Sequence, residues 1–486
     1  MFHIAARVSA YLTGPASVWL LSRDDLRICC QDAGDEFHVL FARVYARLWC
    51  VHQALRGCGR DDLRTSVWAL ALLHRLVARF TRAVTKHRAL NLLVRFATRR
   101  STLEKLRALH QAIDRLFVCV KLQDREEMTK WSDLWTQDCA QMDATFQERV
   151  KVPQLAVKGL PTAKIAEILA IMKFEIEFHK DELTPEQVAL LQVTAKKLVN
   201  ASGVHVPKVS AFYIPSVDVD VVEDCDKVWN TRGCEVMRGV YDQETRLIAQ
   251  YLTADNRYAR QLFWSATEIW HGFHHPNVAK MTGESLVEAR PMVIWEDAAT
   301  HGNFIHYFAS EDESSQRRLW RMFLQVAHGL NYIHQQGKAH GNLKCSDILV
   351  AKDGTPKICH FELSKGPHVG AFDRWKGPEY NLGTGLDPSA AGDVFSYGLC
   401  IIEARTGYIP YELDCDDTVK QQLEECDCYP RPEGMRDDEW DVVQRFVVYK
   451  LENRPTMAQA IEMVEALAWK EALEEEQIGF GLVKTA

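Results

Sequence analysis

The strongest constraint in this chain is a set of short motifs that follow one another in a fixed order through its second half. Glu268-Ile269 comes first, then His275-Pro276-Asn277-Val278, then Tyr332-Ile333-His334. After these comes His340-Gly341-Asn342-Leu343-Lys344-Cys345-Ser346-Asp347-Ile348-Leu349-Val350. His360-Phe361-Glu362, Gly377-Pro378-Glu379, Asp393-Val394-Phe395-Ser396-Tyr397-Gly398 and Asn453-Arg454-Pro455-Thr456 complete the series. Any one of these would be weak evidence. Their order and spacing together restrict the fold far more than composition does.

The series resembles the protein kinase family, with the texture of its tyrosine-kinase-like group. The resemblance implies an α+β, bilobal protein-kinase-like fold over residues 206–470, with a tail over 471–486. Phosphoryl transfer in that family takes a lysine on the phosphates, two metal-holding side chains, a base for the hydroxyl and a glycine-rich loop over the nucleotide. Leu247-Ile248-Ala249-Gln250 aligns with V-A-I-K, so Gln250 has no charge to pair with Glu268 on the expected helix C. Ile248 replaces the small residue that lies against adenine. Asn342 replaces the catalytic aspartate and cannot take up a proton, and Gly341 removes the arginine before it. His360 stands for the metal-binding aspartate, and a neutral imidazole is a poor ligand for hard magnesium. Glu362 adds negative charge where the family has glycine. Before Val236-Met237-Arg238-Gly239 only Gly233 remains of the glycine-rich loop, with Trp229, Thr231 and Cys234 at the usual glycine positions.

Read this way, the nucleotide cleft (Val236, Ile248, Gln250, Trp295) is degenerate, and no catalytic residue, metal or cofactor is expected. Lys344 and Asp347 survive, and weak ATP binding through them is the alternative. The scaffold residues are kept. The resemblance puts His340 and Phe361 in the internal hydrophobic spine, Glu379 and Arg454 in a buried pair, and Asp393 under the catalytic-loop backbone. Between Glu362 and Gly377 the one hydroxyl is Ser364, more in keeping with a surface serine than with a phosphorylation switch.

The first half has another texture. Phe37, Leu40, Phe41, Val44, Leu48 and Val51 recur at steps of three and four. So do Leu63, Val67, Leu70, Leu73, Val77, Phe80 and Val84, and then Leu103, Leu106, Ile113, Leu116, Phe117 and Val120. Each series is one apolar stripe on a helix, and together they predict an all-α bundle over 1–122, with Asp61 and Ser101 as caps. A helical connector or brace is expected over 123–205, with helices opening at Pro161-Thr162 and at Thr184-Pro185-Glu186.

Charge divides the same way. Residues 1–122 hold 20 Lys+Arg against 9 Asp+Glu, and the remainder 38 against 57. Arg75, Arg79, Arg82 and Lys86 fall along one edge of the second helix, with Arg95, Arg99, Arg100, Lys105 and Arg107 adding to the excess. Two readings stay open: a footprint for an anionic membrane surface, or a solvated face or one docked on an acidic neighbour. Nucleic acid is not expected, since no base-reading module is visible.

The domain order is similar to that of the mixed lineage kinase domain-like family. Leu92-Leu93-Val94-Arg95-Phe96, Leu103-Glu104-Lys105-Leu106 and Ile113-Asp114-Arg115-Leu116-Phe117 carry the likeness in the bundle. It implies a pseudokinase that restrains the bundle, with Arg75, Arg79, Arg82 and Lys86 as lipid-contacting candidates. The competing readings are a working serine/threonine kinase with atypical residues and a plain scaffold for a signalling partner. No run approaches the ~20 apolar residues of a membrane helix. The start of the chain lacks the basic segment and cleavage site of a secretory signal, and the scattered cysteines, Cys29-Cys30 and Cys426/Cys428 included, read as reduced thiols. The expected location is therefore cytoplasmic, with recruitment to a membrane as the extension.

Overall fold

A computed structural model describes residues 35–57, 63–153, 158–221, 227–231, 234–241, 245–252, 257–285, 291–309, 313–360, 373–382, 388–426 and 428–479. Asp61, Gly233, Phe361, Glu362, Ser364 and the Cys29-Cys30 pair lie outside these residues. The chain forms two compact units that divide between Pro215 and Ser216.

The first unit is all helical. Helices α1 (His38–Gly57), α2 (Leu63–Ala89), α3 (Leu92–Ala97), α4 (Arg99–Cys119) and α5 (Glu126–Arg149) are followed by α6 (Thr162–Phe178) and α7 (Pro185–Ser202). The stripes read from the sequence face inward: Phe37, Val44, Leu48, Val51, Phe80, Val84, Ile113, Leu116 and Phe117 are all fully buried. Burying such a set, at about 25 cal/mol per Å² of apolar surface, is what gathers the helices. Ser101 is not a cap. It lies inside α4, which begins at Arg99. The chain turns one element earlier, where Asn91 Oδ1 accepts a hydrogen bond from the Val94 N–H (2.9 Å) and opens α3. Thr184 and Gln187 form a reciprocal capping box that starts α7, with Pro185 in its first turn. Gly203, at φ 69°, ends it in the left-handed conformation that a side chain would strain.

This unit is laced with ion pairs. Arg47, almost wholly buried, pairs with Asp114 and donates to the Glu127 carbonyl (2.8 Å). It also contacts His110 Nδ1 at 2.8 Å. Burial first, and Arg47 second, push His110 down to about 3, so its ring is neutral and accepts that contact. Trp131 of α5 stacks on His110 with centroids 4.4 Å apart, which makes α5 part of the bundle core. Arg100 forks onto Glu175 of α6 at 2.7 and 3.0 Å and reaches Glu182 at 2.9 Å, tying the α6–α7 hairpin to α4.

The second unit has a sheet lobe and a helical lobe. Strands β1 (Val219–Val221), β2 (Lys227–Thr231), β3 (Cys234–Tyr241), β4 (Thr245–Leu252), β5 (Met281–Ser285) and β6 (Met292–Glu296) make one antiparallel sheet in the order β1-β3-β4-β6-β5. β2 pairs with β3 beyond β1, along the same edge. Helix α8 (Arg257–His271) joins β4 to β5. The helical lobe holds α9 (Phe304–Phe308), α10 (Leu319–Gln335), the hairpin β7 (Ile348–Val350) and β8 (Pro356–Ile358), α11 (Pro378–Asn381), α12 (Ala390–Thr406), α13 (Asp416–Glu425), α14 (Asp437–Phe446) and α15 (Met457–Gly479). Helix α12 is buried along most of its length, capped by Ser389, which accepts from the Gly392 N–H, and closed by Gly407 at φ 75°. The mixed α+β architecture, with an all-helical first part, is the one the motif series implied.

The Arg100 fork gives the first expected outcome. Arg100→Ala leaves the buried Glu175 carboxylate without its cation and should lower the stability of the helical unit by about 2 kcal/mol. Urea unfolding followed by circular dichroism measures it. A change under about 0.5 kcal/mol would show that the fork does not hold the α6–α7 hairpin.

Candidate functional site

The expected cleft residues come from three adjacent strands. Gln250 on β4 lies opposite Val236 on β3 and Val293 on β6, and Ile248 lies opposite Arg238 and Trp295. Because strand side chains alternate, Val236, Ile248, Gln250 and Trp295 share one face of the sheet. Val236, Ile248 and Trp295 are fully buried, and Gln250 is half-buried. The Trp295 indole meets the His360 ring edge-on at 5.5 Å and Trp270 of α8 at 5.8 Å. Bulky apolar groups therefore pack the inner part of this face. At its outer end the β2–β3 register pairs Thr231 with Cys234, leaving a two-residue connection.

Glu268 does not face the sheet. It is exposed on α8 and, among the described residues, makes no ion pair. Trp270 sets the inward stripe of α8, donating from Nε1 to the Ala279 carbonyl at 2.7 Å. One turn before Trp270 on that stripe is Ala266. Ala266 is half-buried there, and Thr267 is buried beside Trp270.

The loop after α10 is held from below by one carboxylate. Asp393, nearly fully buried at the start of α12, accepts from the His340 N–H (2.7 Å) and the Gly341 N–H (2.8 Å), and contacts His334 Nε2 at 2.8 Å. His340 is fully buried; its Nε2–H donates to the Cys359 carbonyl (2.9 Å), and its Nδ1 accepts from the Asn342 N–H (3.2 Å). These bonds fix the neutral tautomer. Gly341 adopts φ 82°, a conformation that glycine takes without strain.

The two surviving polar residues are both engaged. Lys344 Nζ lies 2.9 Å from Asp373 Oδ2 and 4.8 Å above the Trp375 ring. Burial alone would raise the Asp373 carboxyl, but the Lys344 ammonium and its hydrogen bond hold it below the usual range. Asp347, 4% exposed, meets His360 Nδ1 through Oδ1 at 3.1 Å. His360 itself is buried, with the left-handed backbone value φ 58°. Asn342 is half-buried and brings only an amide to the loop. A magnesium-bound nucleotide needs free hard oxygen donors and a free ammonium. Lys344 is already bonded to an aspartate and Asp347 Oδ1 meets an imidazole, while Asp347 Oδ2 is buried with no hydrogen-bond partner among the described residues.

The expected structural pair is bidentate. Arg454 Nη1 and Nη2 donate to Glu379 Oε1 and Oε2 at 2.7 and 2.8 Å, and the guanidinium also bonds the carbonyls of Val448, Tyr449 and Ala391. A Cβ on Gly377 would come within 2.8 Å of Arg454 Nη2, so the glycine there makes room for the pair.

In the helical unit, Arg75 and Arg82 are exposed and Arg79 and Lys86 half-buried along α2. The other cations added to the basic face are largely neutralised within the unit. Arg95 pairs with Glu36 (3.3 Å), Arg99 with Asp143 (3.4 Å) and Arg100 with Glu175 and Glu182, while Arg107 covers the Trp135 ring at 5.2 Å. Counting charges along the sequence could not reveal this, because each of these partners lies outside the cation's own helix.

Residues 230–464 match the protein tyrosine and serine/threonine kinase family. The chain is 24% identical over 249 residues to the tyrosine-protein kinase Fer of Rattus norvegicus, covering 49% of this chain and 30% of that protein. It is 26% identical over 191 residues to the receptor-like serine/threonine-protein kinase ALE2 of Arabidopsis thaliana, covering 37% of this chain and 25% of that protein. It is 28% identical over 182 residues to the probable serine/threonine-protein kinase kinX of Dictyostelium discoideum, covering 34% of this chain and 16% of that one. The chain therefore spans less than a third of the length of these relatives, and the second half carries a protein kinase domain with both tyrosine and serine/threonine kinase homologues.

Asp373→Asn should cost about 2 kcal/mol at pH 7 by leaving Lys344 without its anion. The carboxyl is depressed in the folded state, so its contribution is complete above the unfolded value of about 3.9 and fades as the pH falls below it. The gap between the urea midpoints of the two proteins should hold above that reference, narrow as the pH falls below it, and close only below the depressed folded value. A gap that stays constant to the acid end contradicts the Lys344–Asp373 lock.

Proposed function

We propose that the protein kinase domain is a pseudokinase of the tyrosine-kinase-like group, acting in signalling as a switch or scaffold rather than as a phosphotransferase. One observation carries the reading: the polar groups left in the cleft are bonded to each other, Lys344 to Asp373 and Asp347 to His360. Gln250 and Asn342 add no charge to replace them. Oriented charges supply most of the stabilisation of a phosphoryl transition state, so tying these groups to one another removes the main catalytic term. The scaffold bonds of Asp393 and of the Glu379–Arg454 pair are complete, which suits a domain used for its shape.

The helical unit is the effector we assign to this switch. Arg75, Arg79, Arg82 and Lys86 run along one edge of α2, and an anionic membrane surface is the partner we assign to them. No helix of the described residues is long and apolar enough to cross a membrane, so engagement would be at the surface. The protein acts in the cytoplasm and is recruited from there.

A thermal-shift titration with magnesium and ATP tests the first claim. A ligand at a hundred times its dissociation constant stabilises by about 2.7 kcal/mol, several degrees for a domain of this size. No rise in melting temperature is expected. A rise that disappears with Asp347→Ala would overturn the pseudokinase reading and favour a kinase with atypical residues. Sedimentation with vesicles containing phosphatidylserine or a phosphoinositide tests the second. Reversing all four charges to Glu should abolish co-sedimentation, and binding that survives the reversal excludes this edge as the lipid footprint.

A further inference from the structure

We propose that the segment Tyr408–Glu425 of the kinase domain is a docking site for a basic, amphipathic segment of a partner protein. The loop between α12 and α13 presents Tyr408, Ile409 and Leu413 at 63%, 45% and 99% exposure. Scattered exposed apolar residues are ordinary, but three within six positions on a braced loop are not. The brace is specific. Arg374 donates to the Tyr411 carbonyl, to the Asp414 carbonyl (2.8 Å) and to Asp416 Oδ1 (2.8 Å). Tyr411 is buried, its N–H donates to the Tyr429 hydroxyl (3.2 Å), and its own hydroxyl meets that of Tyr449 at 3.1 Å. Leu413 is thus held out into water by a fixed base.

A cleft continues this surface on the other side of α13. Gln422 donates from Nε2 to Asp414 Oδ2 on the loop (3.1 Å), while its Oε1 is buried and has no hydrogen-bond partner among the described residues. The cleft has a volume of about 450 Å³; Tyr429, Pro430, Trp440, Tyr449 and Arg431, whose guanidinium pairs with Asp437 (2.7 Å), are among the residues that line it with Gln422. Aromatic walls around one unanswered acceptor suit an inserted apolar side chain with a backbone or side-chain N–H beside it.

Charge selects the occupant. Between Tyr408 and Glu425 there are six acids (Glu412, Asp414, Asp416, Asp417, Glu424 and Glu425) and one base, Lys420. Asp416 is taken by Arg374 and Asp417 lies 3.6 Å from Lys420, which leaves Glu412 exposed beside the apolar tip and Glu424 and Glu425 exposed at the far end of α13. A second copy of this face would bring acid against acid, and an acidic peptide would be repelled in the same way. A segment alternating Lys or Arg with Leu-like residues at helical spacing answers both features. The site lies outside the nucleotide cleft, so it stands or falls separately from the pseudokinase reading.

The test titrates the full-length protein into a fluorescein-labelled Leu/Lys amphipathic peptide of about five helical turns. A scrambled peptide of the same composition and a Leu/Glu peptide run beside it. Leu413→Asp, at a position too exposed to affect folding, and the double reversal Glu424→Lys with Glu425→Lys should each weaken binding of the amphipathic peptide about tenfold or more. Trp469→Ser, at an exposed aromatic on α15, should leave it unchanged, and the scrambled and Leu/Glu peptides should bind at least tenfold more weakly. Equal binding by the scrambled peptide, no effect of Leu413→Asp, or an equal loss with Trp469→Ser overturns the proposal. So does a dimer in sedimentation velocity that Leu413→Asp converts to monomer, because the face would then belong to a second copy.

Discussion

The kinase domain is organised around one buried carboxylate. Asp393 takes two backbone N–H groups and contacts one imidazole from the far side of the helical lobe, with its own side chain almost wholly out of water. An anion in that position is tolerable only when every lone pair is answered, and the cost of leaving it unanswered would be several kcal/mol. Its partners therefore have little freedom: the loop must pass beneath His340, with Gly341 in a left-handed turn. Everything presented by that loop, from Asn342 to Asp347, inherits its position from this bond set. The loop keeps this geometry while presenting Asn342, Lys344 and Asp347.

The helical lobe was the most legible part of the chain. Its motifs are local, each carries its own turn chemistry, and each names its partner by type, as Glu379 and Arg454 do. The apolar stripes of the bundle were also legible, because burial and helical period are the same signal. What failed were positions decided by packing at a distance. Glu268 lies on α8, as its spacing implied, but it is exposed there, while Thr267 and Trp270 are buried. Ser101 has a capping residue's chemistry, yet the chain had already turned at Asn91.

Charge was the least legible property. The basic excess of the first part is real as a count, and as a field it is largely spent inside the unit, on Glu36, Asp114, Asp138, Asp143, Glu175 and Glu182. In the cleft, Lys344 and Asp347 read as survivors of a binding site. Asp373, 29 residues from Lys344, and His360, 13 residues from Asp347, convert them into internal contacts. Nothing local in the sequence announces either pairing, since both depend on the course of the segment that follows the catalytic loop.

Trp295 has a consequence for chemistry applied from outside. Its indole stands fully buried beside Ile248 and against the His360 ring, where a purine-shaped inhibitor of an active kinase would seek a flat slot. Compounds built on that plan would meet an aromatic wall at Trp295. A small residue in place of Trp295 would instead carve out a space of about an indole's size, giving a private receptor for a bulky synthetic ligand and a means of addressing this domain alone in a cell full of kinases.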